Sequence, residues 1–256
     1  TRKESSAASD VYKRQHLTRA LIENTFNVRQ IFNRTLENAR EIGEAHRIPY
    51  TDKISELEKA ELYIIACADS GIEEFSHYIP FDDTLVVHTS GSSPVNVLKG
   101  DYRKGVIYPL QTFSKDRKLR YDEIPFFVEA DDKADEEALY KLCSKISNEV
   151  HVLPHAKRMQ VQMCGVWANN FVNHLFYIAN EICKENDLPF DVLRPLIKET
   201  ASKIETLAPY DAQTGPAKRG DDVIINRHLD LLQNDSRLLE IYQVLTKSIK
   251  RTYDRD

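Results

Sequence analysis

The sequence predicts an α/β protein in which a mostly parallel, helix-covered sheet is followed by an all-helical half. Short β-branched runs alternate with helical segments as far as residue 153, which is typical of a parallel sheet. The run 62–68 is apolar without interruption, as in a strand buried on both faces of its sheet. From residue 155 onward no strand pattern remains. The predicted organisation is a tail at 1–15, an α/β domain at 16–154 and a helical domain at 155–256.

The first fifteen residues are polar, rich in serine and alanine, and without a hydrophobic period. The segment 10–15 resembles a translated sequencing adaptor, which would make His16 the first native residue. The alternative is an ordinary disordered tail. In both cases we expect the segment to lie outside the fold.

Periodic and alternating patterns place the remaining elements in order along the chain. Predicted strands cover 27–32, 50–51, 62–68, 84–88, 105–108, 125–130 and 150–153, and predicted helices cover 17–23, 37–45, 54–59, 131–146, 156–186, 191–207, 223–233 and 236–252. The helix at 131–146 has an apolar side of alanine, leucine and cysteine and a charged side of glutamate and lysine. The helix at 156–186 is apolar round most of its circumference, so we expect it to be largely enclosed.

Composition and charge narrow the class of partner. Lysine and arginine number 35 against 40 acidic residues, which gives a net charge of −5, and no basic face stands out, so nucleic acid is disfavoured. The four cysteines occur singly, without Cys-x-x-Cys spacing, as in a reduced cytoplasmic protein. No apolar run approaches the roughly 20 residues of a membrane helix. We therefore expect a cytoplasmic protein with a small-molecule partner and no membrane contact.

Two predicted strands end in small polar residues close together in the sequence. The strand 84–88 stops at the turn TSGSSP (89–94), and the strand 105–108 stops at PLQT (109–112). Ligands of open α/β sheets lie beyond the carboxyl ends of the strands, so both ends are predicted to border one pocket. Ser90-Gly91-Ser92 does not form a nucleophile elbow, so a serine hydrolase is unsupported.

Asn33, Arg34 and Thr35 follow what would be the second strand, where nicotinamide-binding folds place an acid to hold a ribose 2′-hydroxyl. No acid stands here. A guanidinium flanked by polar neighbours suits a 2′-phosphate, which favours NADP over NAD; the alternative is an ordinary surface arginine. The eight glycines never form Gly-x-Gly, so we expect the first strand and its phosphate-binding glycine loop to be missing.

Polar groups also occur in the predicted helical half. Four of them interrupt the apolar residues of the long helix: Asn169, Asn170, Asn173 and His174. Unpaired buried amides cost about 1–3 kcal/mol, so these side chains line a pocket, cross an interface or find partners in the core. The loop 214–221 is compatible with ligand capture or with helix punctuation. His151 and His155 have the spacing of a metal pair, but Pro154 breaks the helix that would align them, so no metal is expected.

Four motifs in this order resemble one bacterial family: VVHTSGS at 86–92, YPLQTFS at 108–114, WANNFVNHLF at 167–176 and TGPAKRGD at 214–221. The family consists of Rossmann-like proteins described as NADP-dependent oxidoreductases, and its C-terminal half is a domain of unknown function. It is similar to pyrroline-5-carboxylate reductase, deazaflavin-dependent NADP reductase and the 6-phosphogluconate dehydrogenase group. The resemblance extends from His16 to the C-terminus. It implies a Rossmann-like NADP-binding domain, an all-α C-terminal domain and a homodimer formed through those helices.

The resemblance implies hydride transfer between NADP(H) and a small carbonyl or imine compound in the cleft between the two domains. Expected cofactor contacts are the 2′-phosphate site and the strand ends beside it: Asn33, Arg34, Thr35, Ala68, Asp69 and Thr89. Expected substrate contacts are His88, Ser90, Gln111, Thr112, Asn170 and Thr214. His88 is the candidate proton donor, because histidine titrates near neutral pH, or else it is a structural residue at the sheet edge. The alternative function is a non-catalytic NADP sensor or scaffold.

Overall fold

The computed structural model describes residues 2–114 and 117–254, with side chains from residue 12 onward. Over this part of the chain the strands are β1 Ile31–Phe32, β2 Tyr50–Thr51, β3 Leu62–Ile65, β4 Leu85–His88, β5 Arg103–Pro109, β6 Phe126–Ala130 and β7 Val150–Val152. β1 and β2 pair in parallel as a separate two-stranded sheet. The other five form a sheet of order β3-β4-β5-β6-β7, parallel throughout except where β6 runs against β5. The predicted mostly parallel sheet is confirmed.

Helices make up most of the remaining described chain. They are α1 Arg2–Glu23, α2 Leu36–His46, α3 Ile72–Ser76, α4 Lys133–Ser144, α5 His155–Gly165, α6 Val172–Glu185, α7 Arg194–Lys203, α8 Pro209–Ala212, α9 Pro216–Arg219, α10 Asp222–Leu231 and α11 Ser236–Tyr253. A π-helical turn, Val166–Phe171, joins α5 to α6. The long helix predicted at 156–186 is therefore present as one continuous helical stretch, and the described chain contains no strand after β7.

Two elements differ from the prediction. The strand predicted at 27–32 is hydrogen-bonded only over β1, because its parallel partner β2 is two residues long. The segment predicted as a tail outside the fold has a helical backbone from Arg2 onward, and its separation from the fold stays a prediction. Alanine, lysine, arginine and glutamate favour a helix even where a segment has no hydrophobic period, which explains the difference.

The five-stranded sheet separates two cores, because successive side chains of a strand point to opposite faces. On one face, Val87 of β4 belongs to a cluster with Leu139 and Cys143 of α4. On the other face, Val86 belongs to a cluster with Leu98 and Tyr102, which lie between β4 and β5 in the sequence. Val86 and Val87 are both 0% exposed. β4 is therefore buried on both faces of the sheet, and the residues at its carboxyl end are buried with it.

The described chain forms two compact units, one ending at His174 and one beginning at Leu175. The first unit contains both sheets and α1 to α5. The sequence places a domain boundary at residue 154, which would assign α5 to the helical half. In the structure Arg158 of α5 is 0% exposed and forms an ion pair with Glu129 of β6, so α5 packs with the sheet. The second unit is helical wherever it is ordered into regular elements.

Several large apolar side chains of the long helical stretch are exposed in the described chain, so its predicted enclosure stays a prediction. In the first unit Trp167 is 64% and Phe171 46% exposed. In the second unit, Tyr177 is 51% exposed. An apolar circumference indicates that a helix needs cover, but it does not indicate which molecule supplies that cover.

Candidate functional site

The carboxyl end of β4 is polar and yet buried. His88, Thr89 and Ser90 are 0%, 1% and 3% exposed. The Thr89 amide donates to the Ile65 carbonyl oxygen at the end of β3 (3.2 Å), which continues the β3–β4 pairing by one residue. The hydroxyl oxygen of Thr89 is buried and has no hydrogen-bond partner among the described residues. Buried polar groups therefore lie at the carboxyl end of β4, and one of them, the Thr89 hydroxyl, has no hydrogen-bond partner among the described residues.

Both ring nitrogens of His88 are engaged within the turn that follows β4. The Ser90 amide donates to His88 Nδ1 (3.1 Å), so the ring hydrogen lies on Nε2, which faces the Pro94 carbonyl oxygen at 3.3 Å. Burial lowers the pKa of His88 from its usual 6.5 to about 4, and the positive charge of Arg158 acts in the same direction. The ring is therefore neutral at pH 7. This geometry favours the structural alternative for His88 and argues against its predicted use as a proton donor.

Three side chains at this edge form a chain of hydroxyl groups that ends on a carboxylate. Ser90 Oγ accepts hydrogen bonds from the amides of Ser92 (3.1 Å) and Ser93 (2.9 Å). Since both bonds use Ser90 as acceptor, its own hydrogen is directed to Ser92 Oγ, 3.3 Å away. Ser92 Oγ in turn donates to Asp69 Oδ2. The hydroxyls are thus oriented in one direction, toward the carboxylate of Asp69 just beyond β3.

Helix α5 holds the other side of the turn through its first residues. Arg158 donates from Nε to the Ser90 carbonyl oxygen (3.3 Å) and from a terminal nitrogen to that of Ser93. His155 Nε2 lies 2.8 Å from the Ser92 carbonyl oxygen. Neither residue was predicted as part of the site, because a histidine and an arginine three positions apart are also typical of a solvent-exposed helix face. We call residues 89–94 the β4 turn.

The ring of Tyr108, in β5, lies against the β4 turn. A Cβ atom at Gly91 would lie 2.6 Å from Tyr108 Cζ and 2.9 Å from Gln162 Cγ, so the turn approaches these side chains too closely for any residue but glycine. The Tyr108 ring stacks on Phe127 of β6 (6.1 Å between centroids), which stacks on His151 of β7 (5.5 Å). Burial raises the pKa of Tyr108, and the carboxylate of Asp69 raises it further. Tyr108 therefore stays protonated at neutral pH.

Arg34 stands at the carboxyl end of β1, as predicted. Its side chain is 56% exposed, donates to both carboxylate oxygens of Glu74 (3.0 Å each) and lies 4.8 Å from the centre of the Phe75 ring. Hydrogen bonds from Tyr78 and Arg34 lower the pKa of Glu74. The Asn33 side chain is buried and accepts from the Thr35 amide (3.1 Å), which fixes the turn that carries Arg34. The guanidinium is thus oriented and accessible.

The structure brings four of the predicted site residues together: Asp69, His88, Thr89 and Ser90. Ala68 is exposed immediately before Asp69. Gln111 and Thr112 are exposed after β5, where the Thr112 amide donates to Gln111 Oε1 (2.8 Å). Asn170 is exposed in the π-helical turn. Within the described part of the chain, no hydrogen bond links these last three residues to the β4 turn.

Thr214 belongs to the second unit, where it is exposed at the start of the loop 214–221. Gly215 and Gly220 have φ values of 105° and 66°, which favour glycine, and Pro216 opens the short helix α9 between them. The Asp221 side chain caps α10 by accepting from the Ile224 amide (3.2 Å). These features support helix punctuation as one role of the motif, and they leave ligand capture by Thr214 as a prediction.

The described residues contain neither a candidate metal centre nor a membrane-spanning helix. They contain no group of three or more histidine, cysteine, aspartate or glutamate side chains that could hold a metal ion. Within the same residues no helix has both the length and the apolar character needed to span a membrane. His155, part of the metal-like pair in the sequence, is bonded to the Ser92 carbonyl oxygen.

The mostly parallel sheet, the polar strand ends and the helical region that follows define a Rossmann-like protein with a helical C-terminal region. Residues 124–249 match the model of a domain of unknown function, DUF2520. A protein from Bacteroides fragilis, named as a proposed NADP oxidoreductase, has a crystal structure that superposes with a TM-score of 0.87. It is 38% identical, over 94% of this chain and 95% of that one. The chain belongs to the family of this protein.

More distant structures share the fold. A protein from Thermotoga maritima is 22% identical over 93% of this chain and 96% of that chain, with a TM-score of 0.78. A 1-pyrroline-5-carboxylate reductase from Streptococcus pyogenes is 14% identical over 92% of this chain and 95% of that chain, with a TM-score of 0.57. No curated protein matches the chain. The family predicted from the four sequence motifs is confirmed.

Proposed function

We propose that the protein is an oxidoreductase that transfers a hydride between NADP(H) and a small carbonyl or imine compound. The observation that carries the proposal is the oriented, exposed guanidinium of Arg34 at the carboxyl end of β1, where a NAD-binding site would place an acid. The name of the Bacteroides fragilis relative supports the general class of oxidoreductase and the choice of NADP. The fold shared with a 1-pyrroline-5-carboxylate reductase is the basis for the substrate class.

The residues at the strand ends fit a phosphorylated dinucleotide. Arg34 offers a charged fork to a 2′-phosphate, and its contact with Glu74 is an exposed ion pair of the kind that contributes about 0–1 kcal/mol, so a dianion can displace it. The unsatisfied hydroxyl of Thr89 is a second polar group, buried in this structure, which a ligand reaches only if the turn after β4 moves. Leaving such a group unpaired costs about 1–3 kcal/mol, which a bound acceptor would recover.

When it is bound, the cofactor donates or accepts the hydride. The protein binds and orients the cofactor and the substrate, and it moves the proton. His88 is neutral, and Tyr108 holds its proton firmly, so neither exchanges a proton readily at pH 7. Ser92 is different, since its hydroxyl donates to Asp69 and can accept a hydrogen bond from a substrate hydroxyl or amine. In the oxidative direction, the proton released by the substrate passes through Ser92 Oγ to the carboxylate of Asp69.

Titration of the full-length gene product with NADPH and NADH, followed by cofactor fluorescence, tests the proposal. Arg34→Ala should weaken the binding of NADPH by about tenfold or more and leave the binding of NADH within about twofold. The reason is that the substitution removes only the contact with the 2′-phosphate, which NADH lacks. Arg29→Ala is the matched control, since Arg29 is equally exposed and lies 3.7 Å from a glutamate, Glu58. Equal losses for both nucleotides in the Arg34 variant would contradict the phosphate site.

The same protein can distinguish an enzyme from a non-catalytic NADP sensor or scaffold. Binding of NADPH without oxidation in the presence of a panel of small aldehydes, ketones and cyclic imines would favour the sensor. Oxidation of NADPH that depends on one of these compounds would favour the enzyme. If the wild-type protein binds neither nucleotide, both functions are refuted.

We also propose that the protein is a homodimer formed through exposed apolar side chains of its helices. Val192, Leu196 and Leu231 of the second unit are 62%, 63% and 80% exposed, and Trp167 of the first unit is 64% exposed. Monomeric proteins seldom expose large side chains in such number, which supports a covering partner. Light scattering should give twice the mass of one chain for the wild type and for the control Tyr140→Arg, and a single chain for Trp167→Arg. A monomeric wild type would refute the dimer.

A further inference from the structure

Helix α5 provides hydrogen-bond partners for three backbone carbonyl groups of the β4 turn. The carbonyl oxygens of Ser90 and Ser93 both accept from Arg158, and that of Ser92 faces His155 Nε2 at 2.8 Å. Three acceptors within four residues are thus satisfied by two side chains of one helical turn. A loop of this kind would otherwise satisfy its carbonyls with water and sample several conformations.

All three guanidinium nitrogens of Arg158 donate hydrogen bonds. It is 0% exposed, and its remaining terminal nitrogen donates to Glu129 Oε2. Glu129 is fixed in turn, because its other oxygen accepts from the amide of His155 (3.1 Å), at the first residue of α5. The strand β6, the start of α5 and the β4 turn are therefore joined through one buried cation. A buried, fully bonded arginine is costly to desolvate, so packing alone does not explain its use here.

The binding of the carbonyls determines where the other groups of the turn point. Ser90 Oγ collects the amides of Ser92 and Ser93, and Ser92 Oγ reaches Asp69. This arrangement requires the backbone conformation that Arg158 and His155 impose from the opposite side. The Ser90 and Ser92 hydroxyls follow the carboxyl end of β4, where ligands of open α/β sheets bind.

We propose that Arg158 is a positioning residue, which fixes the β4 turn for the nicotinamide end of the cofactor and never touches the cofactor itself. The inference rests on the proposed function. It follows from the positions of Arg34 and the β4 turn in different sheets. Arg34 follows β1 and would hold the phosphorylated adenosine, whereas the β4 turn follows a strand of the five-stranded sheet. The turn therefore serves the opposite end of an extended dinucleotide.

Comparison of two ligands in the full-length protein tests this role. NADPH carries both ends, whereas adenosine 2′,5′-bisphosphate carries the phosphorylated adenosine without the nicotinamide. The double variant Arg158→Met, Glu129→Gln removes both partners of the buried ion pair, so no unpaired charge remains inside the protein. The variant Arg158→Lys keeps a charge for Glu129 but cannot reach two carbonyls in a fork, and Lys157→Met is the exposed control on the same helix.

We expect the double variant and Arg158→Lys to bind NADPH about tenfold more weakly, with adenosine 2′,5′-bisphosphate unchanged within about twofold. Lys157→Met should match the wild type with both ligands. If both ligands weaken in parallel, or if NADPH binding is unchanged in a folded variant, the positioning role is refuted while the proposed function stands. If the double variant does not fold, Arg158→Lys alone decides. Failure of the wild type to bind either ligand would instead refute the proposed function.

Discussion

The neutral, buried His88 predicts that the protein loses stability as the pH falls through the range from about 6.5 to 4. In the unfolded chain the histidine binds a proton below its usual pKa of 6.5, whereas in the folded protein the pKa is about 4. Between these values the unfolded state holds more protons, so acid favours unfolding. A pKa difference of this size corresponds to about 3 kcal/mol when the pH falls from 7 to 4, with the steepest part near 1.2 kcal/mol per pH unit.

The variant His88→Asn isolates this contribution from that of other titrating groups. An asparagine oxygen lies close to the position of Nδ1 and can accept from the Ser90 amide, but it does not titrate between pH 4 and 7. Urea unfolding of both proteins at pH 7, 6, 5 and 4.5 gives two curves of stability against pH. The wild-type curve should fall more steeply, and the difference between the curves should reach about 2 kcal/mol by pH 5.

His151→Asn is the matched control, because His151 is an exposed histidine on β7 of the same sheet. Its curve should run parallel to that of the wild type. Parallel curves for the wild type and His88→Asn would refute the assignment of a buried neutral ring, and with it the structural role of His88 in the β4 turn.

Two further predictions concern packing around the same sheet. Gly91→Ala should lower the free energy of unfolding by about 1–3 kcal/mol in urea titrations, because the added Cβ meets Tyr108 and Gln162; an unchanged stability would show that the turn can move away. Cys143 is buried, and burial raises its pKa to about 12, so iodoacetamide at pH 8 should modify the exposed Cys164 and leave Cys143 intact in the folded protein. Mass spectrometry of the peptides checks this order, and early modification of Cys143 would contradict the described core.

Much of the fold is specified by local pattern. The apolar run that includes β3 and the short β-branched run of β4 identify buried parallel strands, and both are present at nearly the predicted positions. The candidate site was predicted from the small polar residues after β4, because turn chemistry is a local signal, and it stays a prediction. The length of β1 could not be predicted in the same way, since it depends on how many residues its partner β2 offers.

The parts that escaped prediction depend on contacts distant in sequence. Arg158 is separated from Glu129 and from Ser90 by many residues, and its charge argues for solvent exposure until those partners are known. The sequence is compatible with His88 as a proton donor or as a structural residue. Only its hydrogen bonds with the Ser90 amide and the Pro94 carbonyl oxygen favour the structural role. The exposure of Trp167 was likewise hidden, because a hydrophobic pattern does not identify the surface that covers it.

The reversal of β6 against β5 gives the edge of the sheet two chemically different sides. Because β6 runs the other way, its first residues lie beside the last residues of β5, and register places Phe127 between Tyr108 and His151. Three stacked rings therefore form one side of this edge, and the hydroxyls of the β4 turn form the other. Because the Tyr108 ring lies directly against Gly91, the two sides are packed together, and the turn cannot move toward β5 without displacing the ring stack. A fully parallel sheet would place the other end of β6 at this edge, without Phe127.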